Sequence, residues 1–139
     1  YGNTERLFNM SIETFTLNRV GPAFTLDTPE EPWILLRGEG YSPVQSLVTA
    51  AAACAGYVYI SVLNNSNVPH EIEKVTVSYT RDMAKKTNPI QSINVTIYAE
   101  ISAEYHEKAQ RCVKLISPNC PVIQSLDPNI EVVEQVVFL

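Results

Sequence analysis

Several things are scarce in this sequence, and each scarcity narrows what the chain can do. Of 139 residues, 10 are lysine or arginine against 15 aspartate or glutamate, a net charge of −5, and the cations are scattered rather than clustered. A surface without a basic patch suits neither nucleic acid nor an anionic membrane, so neither is expected as a partner. There are three cysteines, Cys54, Cys112 and Cys120. An odd count with no short repeated spacing does not read as a secreted disulfide framework. No segment has the basic start, apolar stretch and small-residue cleavage site of a signal peptide. The chain is therefore expected in the cytoplasm, where thiols rest reduced and a disulfide is a transient, working bond. No cysteine and histidine share metal-ligand spacing, so no zinc site and no cofactor are expected. No serine sits in a nucleophile elbow, and no glycine-rich phosphate loop follows a strand. Repeats, low-complexity tracts and linkers are also missing. One domain over 1–139 is expected, long enough to bury a core without disulfide staples.

The sharpest absence is local. From Gly40 to His70 there is no Asp, Glu, Lys or Arg. Leu47 to Leu63 is at the lower length limit for a membrane span and carries Thr49, Gly56, Ser61 and two tyrosines, so a buried helix is the better reading. Ser42 suits its N-cap and Pro43 its first position. Val44, Leu47, Val48, Ala51, Ala55, Val58 and Val62 fall on one face, while Ala53, Ile60 and Leu63 make the opposite face apolar too. A helix apolar all round is buried on all sides. One small sheet covers one side, so a second copy of the chain is expected to cover the other.

Around this helix the pattern is mostly β. The region from about Leu7 to Asp27 is rich in β-branched and aromatic residues; "IETFTL" alternates passably and Gly21-Pro22 reads as a turn before a second strand. "EPWILLRGEG" reads as a third. Glu71 to Arg81 and Gln91 to Ile101 alternate clearly and form a hairpin across "DMAKKTNP". Ser102 begins a helix with an apolar stripe of Tyr105, Ala109, Cys112, Val113 and Ile116, stopped by Ser117-Pro118. A short helix from "NCPVIQSLDP" and a closing strand, "NIEVVEQVVF", follow. The order β-β-β-α-β-β-α-α-β predicts an α+β fold: a mostly antiparallel sheet packed on a long buried central helix.

Chemistry is to be sought at the cysteines. A buried cysteine usually acts as a small hydrophobe, the reading that fits Cys112 on its core stripe. Cys120 sits where a helix begins, and unpaired N–H groups and the dipole there lower a thiol pKa, although a capping cysteine can equally be structural. Cys54 lies mid-helix among alanines and Gly56. To react it needs a cation, and its own helix has none; Arg19, Arg37 or another subunit must supply it. His70 and His106 are weak candidates, and Glu30-Glu31 reads as a solvated turn.

The succession "SPVQSLVTAAAAC", alternating hairpin, helix and then "NCPVIQSL" resembles the OsmC/Ohr family, the osmotically inducible and organic hydroperoxide resistance proteins, from about Phe15 onward. The resemblance implies an intertwined α+β homodimer with sites at the subunit interface and a cysteine-based peroxidase. It matches Cys54 to the peroxidatic cysteine and Cys120 to the resolving one. The substrate it implies is an organic hydroperoxide, and the reductant a dithiol, such as a lipoyl protein. The family's activating arginine comes from the N-terminal strands: Arg19 matches by position and Arg37 is the fallback. Val44 departs from the pattern, because the best-known branch has a glutamate there that orients the arginine; Glu39 lies a few residues upstream. A second reading follows from Val44: a dimeric protein of the same fold that binds a small apolar molecule, with its cysteines structural.

Overall fold

A computed structural model describes residues 12–139. Chain contacts divide it into two compact units, one ending at Pro43 and the other running Val44–Leu139. The N-terminal unit holds an antiparallel sheet in the order β1 (Leu17–Val20), β2 (Ala23–Leu26) and β3 (Trp33–Ile34). Gly21-Pro22 is the turn of its first hairpin, pairing Val20 with Ala23, and Gly21 takes the positive φ of +57° that glycine tolerates best. Gly40 is required for a different reason. A Cβ there would collide with the Ile34 carbonyl.

The second unit is built on α1 (Pro43–Asn65) and a three-stranded sheet, β4 (Glu71–Arg81), β5 (Ile90–Glu100) and β6 (Glu131–Phe138), with β5 central. β4 and β5 pair antiparallel over most of their length, with a bulge between Ile72 and Lys74. The hairpin loop is closed by the Asp82 N–H to the Pro89 carbonyl at 2.8 Å and by Arg81 Nε to the Asn88 carbonyl at 2.7 Å. β5 alternates as its sequence dictates, with Ile93, Val95, Ile97 and Ala99 fully buried against Val48, Ala51, Ala52, Ala55, Tyr59 and Leu63 of α1. Gly56 lets α1 come close to β4, since a Cβ there would lie 3.2 Å from Val75 Cγ2. Between β5 and β6 the chain crosses over through a 3₁₀ turn (Ala103–Tyr105), α2 (His106–Cys112), a second 3₁₀ turn (Val113–Leu115), α3 (Ile116–Asn119) and α4 (Pro121–Gln124). Tyr59 ties α1 to this crossover by donating its hydroxyl to the Ala109 carbonyl at 2.9 Å.

Four expectations need correction. Among the described residues there are two three-stranded sheets instead of one; their pairings are mostly antiparallel as expected, with β6 joining β5 in parallel, which the helical crossover between them makes possible. The first strand is Leu17–Val20 and not Ile12–Leu17, since the tight Gly21-Pro22 turn sets the register; residues 7–11 of that region lie outside the described residues. Ser117-Pro118 does not stop the helical run. Both fall inside α3, where proline is tolerated in the first turn. The buried face of α1 is also rotated from the expected one. Leu47 is exposed and Val44, Val58 and Val62 only half-buried, while Leu63 is fully buried. A helix apolar on every side carries little periodic contrast from which its orientation can be read. Within one chain α1 is buried on one side, and Tyr57 on the other is 75% exposed. By length and composition alone α1 could cross a membrane, but 44% of its most apolar window is buried in the fold.

Candidate active site

Cys54 sits in the middle of α1, half-buried, with alanines on both sides in sequence. Cys120 sits at the break between α3 and α4, where the backbone turns extended at φ −97° and ψ 109°. Pro121 opens α4, and the Cys120 carbonyl accepts from the Gln124 N–H at 2.9 Å, closing the first turn. The side chain of Cys120 is fully buried in the core. There it lies beside Cys54, close enough for the two thiols to interact, and both are free.

The electrostatics of Cys120 run against the helix-start expectation. Its thiol is pushed up to about 11, first by burial and then by the neighbouring Cys54 thiol, which favours the protonated form. The N–H groups of Ile123 and Val122 oppose this, but neither closes a cap hydrogen bond with the side chain, and α4 is only four residues long. Burial wins over so short a dipole. Cys120 is therefore a thiol at neutral pH.

The remaining candidates are placed as follows. Cys112 is buried on α2 and its Sγ donates to Ser66 Oγ at 3.6 Å. Arg19 and Arg37 both lie in the N-terminal unit and are exposed. Arg19 Nε donates to the Gly21 carbonyl at 2.9 Å, and its guanidinium stands 5.5 Å from the centre of the Phe24 ring. Arg37 makes an isolated bridge with Gly40, next to the exposed Glu39. Val44 is half-buried in the first turn of α1. His70 Nδ1 is hydrogen-bonded to the Val68 carbonyl, and His106 stacks on Phe138 while its Nε2 meets the Ile101 carbonyl at 2.6 Å. Glu30 and Glu31 lie in a turn organised by the Thr28 hydroxyl. No group of three or more His, Cys, Asp or Glu able to hold a metal occurs among the described residues.

A pocket of about 330 Å³ opens between α1 and the crossover, lined by Val58, Ser61, Val62, Leu115 and Asn119 among others. Val58 is one helical turn beyond Cys54, and Asn119 immediately precedes Cys120. Near Cys120 in the chain, Ser117 is hydrogen-bonded to Glu134 of β6, a residue to which the sequence assigns no role. The signal for Glu134 was present: it is the one charge in the inward row Val132, Glu134, Val136 and Phe138 of β6.

The family profile described as OsmC-like protein matches residues 36–135. No curated protein matches the chain. Among solved structures, a hypothetical protein from Aquifex aeolicus VF5 superposes with a TM-score of 0.77 at 16% identity, covering 94% of this chain and 98% of its own. The organic hydroperoxide resistance protein OhrB of Bacillus subtilis gives a TM-score of 0.61 at 22% identity, covering 91% and 100%. An OsmC-like protein from Mycoplasma pneumoniae gives 0.71 at 13% identity, covering 91% and 98%. These likenesses establish the fold.

Proposed function

This chain belongs to the family of OsmC-like proteins, and on that premise we propose that it is a thiol-dependent peroxidase that reduces organic hydroperoxides. The observation that carries the reading is the closeness of Cys54 and Cys120, two free thiols from distant parts of the chain brought side by side in the core. In the first step the Cys54 thiolate attacks the hydroperoxide. An S–O bond forms, the O–O bond breaks, and the alcohol leaves after taking up a proton, so that Cys54 becomes a sulfenic acid. The Cys120 sulfur then attacks Cys54; the S–S bond forms, the S–O bond breaks, and the proton of Cys120 departs with the oxygen as water. A dithiol reductant, such as a lipoyl protein, returns two electrons to the pair, chemistry suited to the reducing cytoplasm. We assign the activation of Cys54 to Arg19, or failing it Arg37, from their place in the chain.

A homodimer belongs to the same proposal. It is supported by an apolar groove of about 260 Å³ on the outer side of α1 and β4, lined by Ala53, Gly56, Tyr57, Ile60, Ile72 and Val75. The test of the enzyme is stopped-flow thiol oxidation by cumene hydroperoxide, comparing the parent with Cys54→Ser. A saturable oxidation lost in the variant is expected. Val44 supports the second reading, a dimer that binds a small apolar molecule, because no carboxylate stands at that position to orient an arginine. Equal behaviour of parent and variant would leave this binding reading standing.

A further inference from the structure

Glu134 is out of place by the pattern of its strand. Along β6 the side chains of Val132, Val136 and Phe138 pack against the core, and Glu134 occupies the same half-buried row. A carboxylate there loses hydration and is tolerated when it is hydrogen-bonded. Its partner is the hydroxyl of Ser117, which donates to Glu134 Oε1. Ser117 in turn is a knot in the backbone that carries Cys120. Its carbonyl accepts from the Cys120 N–H at 3.4 Å and from Gln124 Nε2 at 2.8 Å, the latter bridging the break between α3 and α4. One side-chain pair therefore fastens the turn bearing Cys120 to the sheet.

We infer that Glu134, acting through Ser117, is a positioning residue that holds Cys120 ready to resolve the Cys54 sulfenic acid. The inference rests on the peroxidase reading for its biological meaning and on the Ser117–Glu134 contact for its physics. Closing a disulfide requires the two sulfurs to approach to a bonded distance in a narrow range of dihedral angle. A tethered turn shortens the search; a loosened one lets the sulfenic acid wait, and a waiting sulfenic acid is open to a second peroxide that takes it to the sulfinic acid. Glu134 touches neither sulfur and exchanges no proton with them. Its effect is confined to the second step.

The test measures the two steps separately in the parent, Glu134→Ala, Glu134→Gln and Ser117→Ala. Sulfenic acid on Cys54 is followed by dimedone trapping and the Cys54–Cys120 disulfide by mass spectrometry after rapid quench, with cumene hydroperoxide as oxidant. Glu134→Ala and Ser117→Ala should slow disulfide closure on the order of tenfold while sulfenic acid forms at the parental rate, given how steeply intramolecular reactions depend on placement. Glu134→Gln keeps an acceptor oxygen and should close at the parental rate. The double variant Ser117→Ala/Glu134→Ala should be no slower than either single one, because one hydrogen bond is lost in all three. Closure at the parental rate in the alanine variants, equal slowing of both steps, or a glutamine variant as slow as the alanine variant would overturn the inference. Should Glu134→Ala melt below the assay temperature, Ser117→Ala carries the comparison, since it leaves β6 intact. The same series is run with diamide, a general thiol oxidant that needs no peroxidase activity. A parent inert to peroxide but with diamide closure ordered as above would sink the peroxidase reading and keep the tether.

Discussion

Cys112 and Cys120 lie in the same run of short helices, and both are buried. Cys112 is inside a helix on its apolar stripe and spends its S–H on Ser66, a hydroxyl with no redox chemistry. Cys120 is at a break between helices, and its neighbour is another thiol, that of Cys54. Burial alone does not tell these two thiols apart. What separates them is the partner, and the partner depends on where the backbone stops being helical. At Cys120 the extended φ and ψ turn the chain so that the side chain enters the core beside α1 instead of lying along a helix face.

The largest effect should come from removing the partner of Cys120. Cys54→Ser is expected to abolish peroxide-driven thiol oxidation in the stopped-flow assay, while Cys112→Ala keeps the parental rate. Loss of oxidation in Cys112→Ala would erase the distinction drawn between the two buried thiols. Next comes Cys120→Ser, in which Cys54 should still form a sulfenic acid but proceed to the sulfinic acid under excess peroxide, seen by intact mass as two added oxygens in place of a disulfide.

A smaller effect concerns pH. The Cys120 thiol rises from its ordinary 9.0 to about 11 in the folded protein, so in that window the folded chain keeps a proton that the unfolded chain has released. Unfolding then releases a proton, and stability falls as pH rises from the unfolded value through the folded one. Urea denaturation across that range should show a shallower decline for Cys120→Ala than for the parent, and Cys112→Ala should follow the parent. The smallest change sharpens the comparison from the α1 side. Tyr59→Phe leaves the buried Ala109 carbonyl without its donor and should cost about 1 kcal/mol of stability by urea denaturation, with the parental rate of thiol oxidation retained.

The most legible parts of this fold were those whose pattern is local and strong. β4 runs over Glu71–Arg81 as its alternation indicates, and β5 is displaced from the expected span by one residue. The start of α1 was written in Pro43, and the apolar stripe of the crossover, from Tyr105 to Ile116, is buried or half-buried throughout. Which way β6 points was not legible, because a strand's own residues do not say which neighbour it joins. Nor was the rotation of α1, where nearly every position is apolar. The meeting of Cys54 and Cys120 was suggested by resemblance to a family and not by local chemistry, which assigned Cys120 a lowered pKa. That assignment failed because a helix start was weighed without the depth at which it is buried. Glu134 was legible in principle, as a charge interrupting an apolar row, but its meaning depends on Ser117, and nothing in the intervening sequence announces that pairing.

The parallel pairing of β5 with β6 has a consequence for the order in which this molecule assembles. The β4–β5 hairpin joins neighbours in sequence across a short loop, whereas β6 can dock only after the whole crossover has been gathered in, and pairing over long separations is the slower event. Ser117 is anchored by β6, so the turn that presents Cys120 is fixed only at that late stage. During synthesis Cys54 is made first and waits without a partner. The two sulfurs are held side by side only when the last strand is in place, so the rate at which an added oxidant such as diamide joins them would itself report that the chain has finished folding.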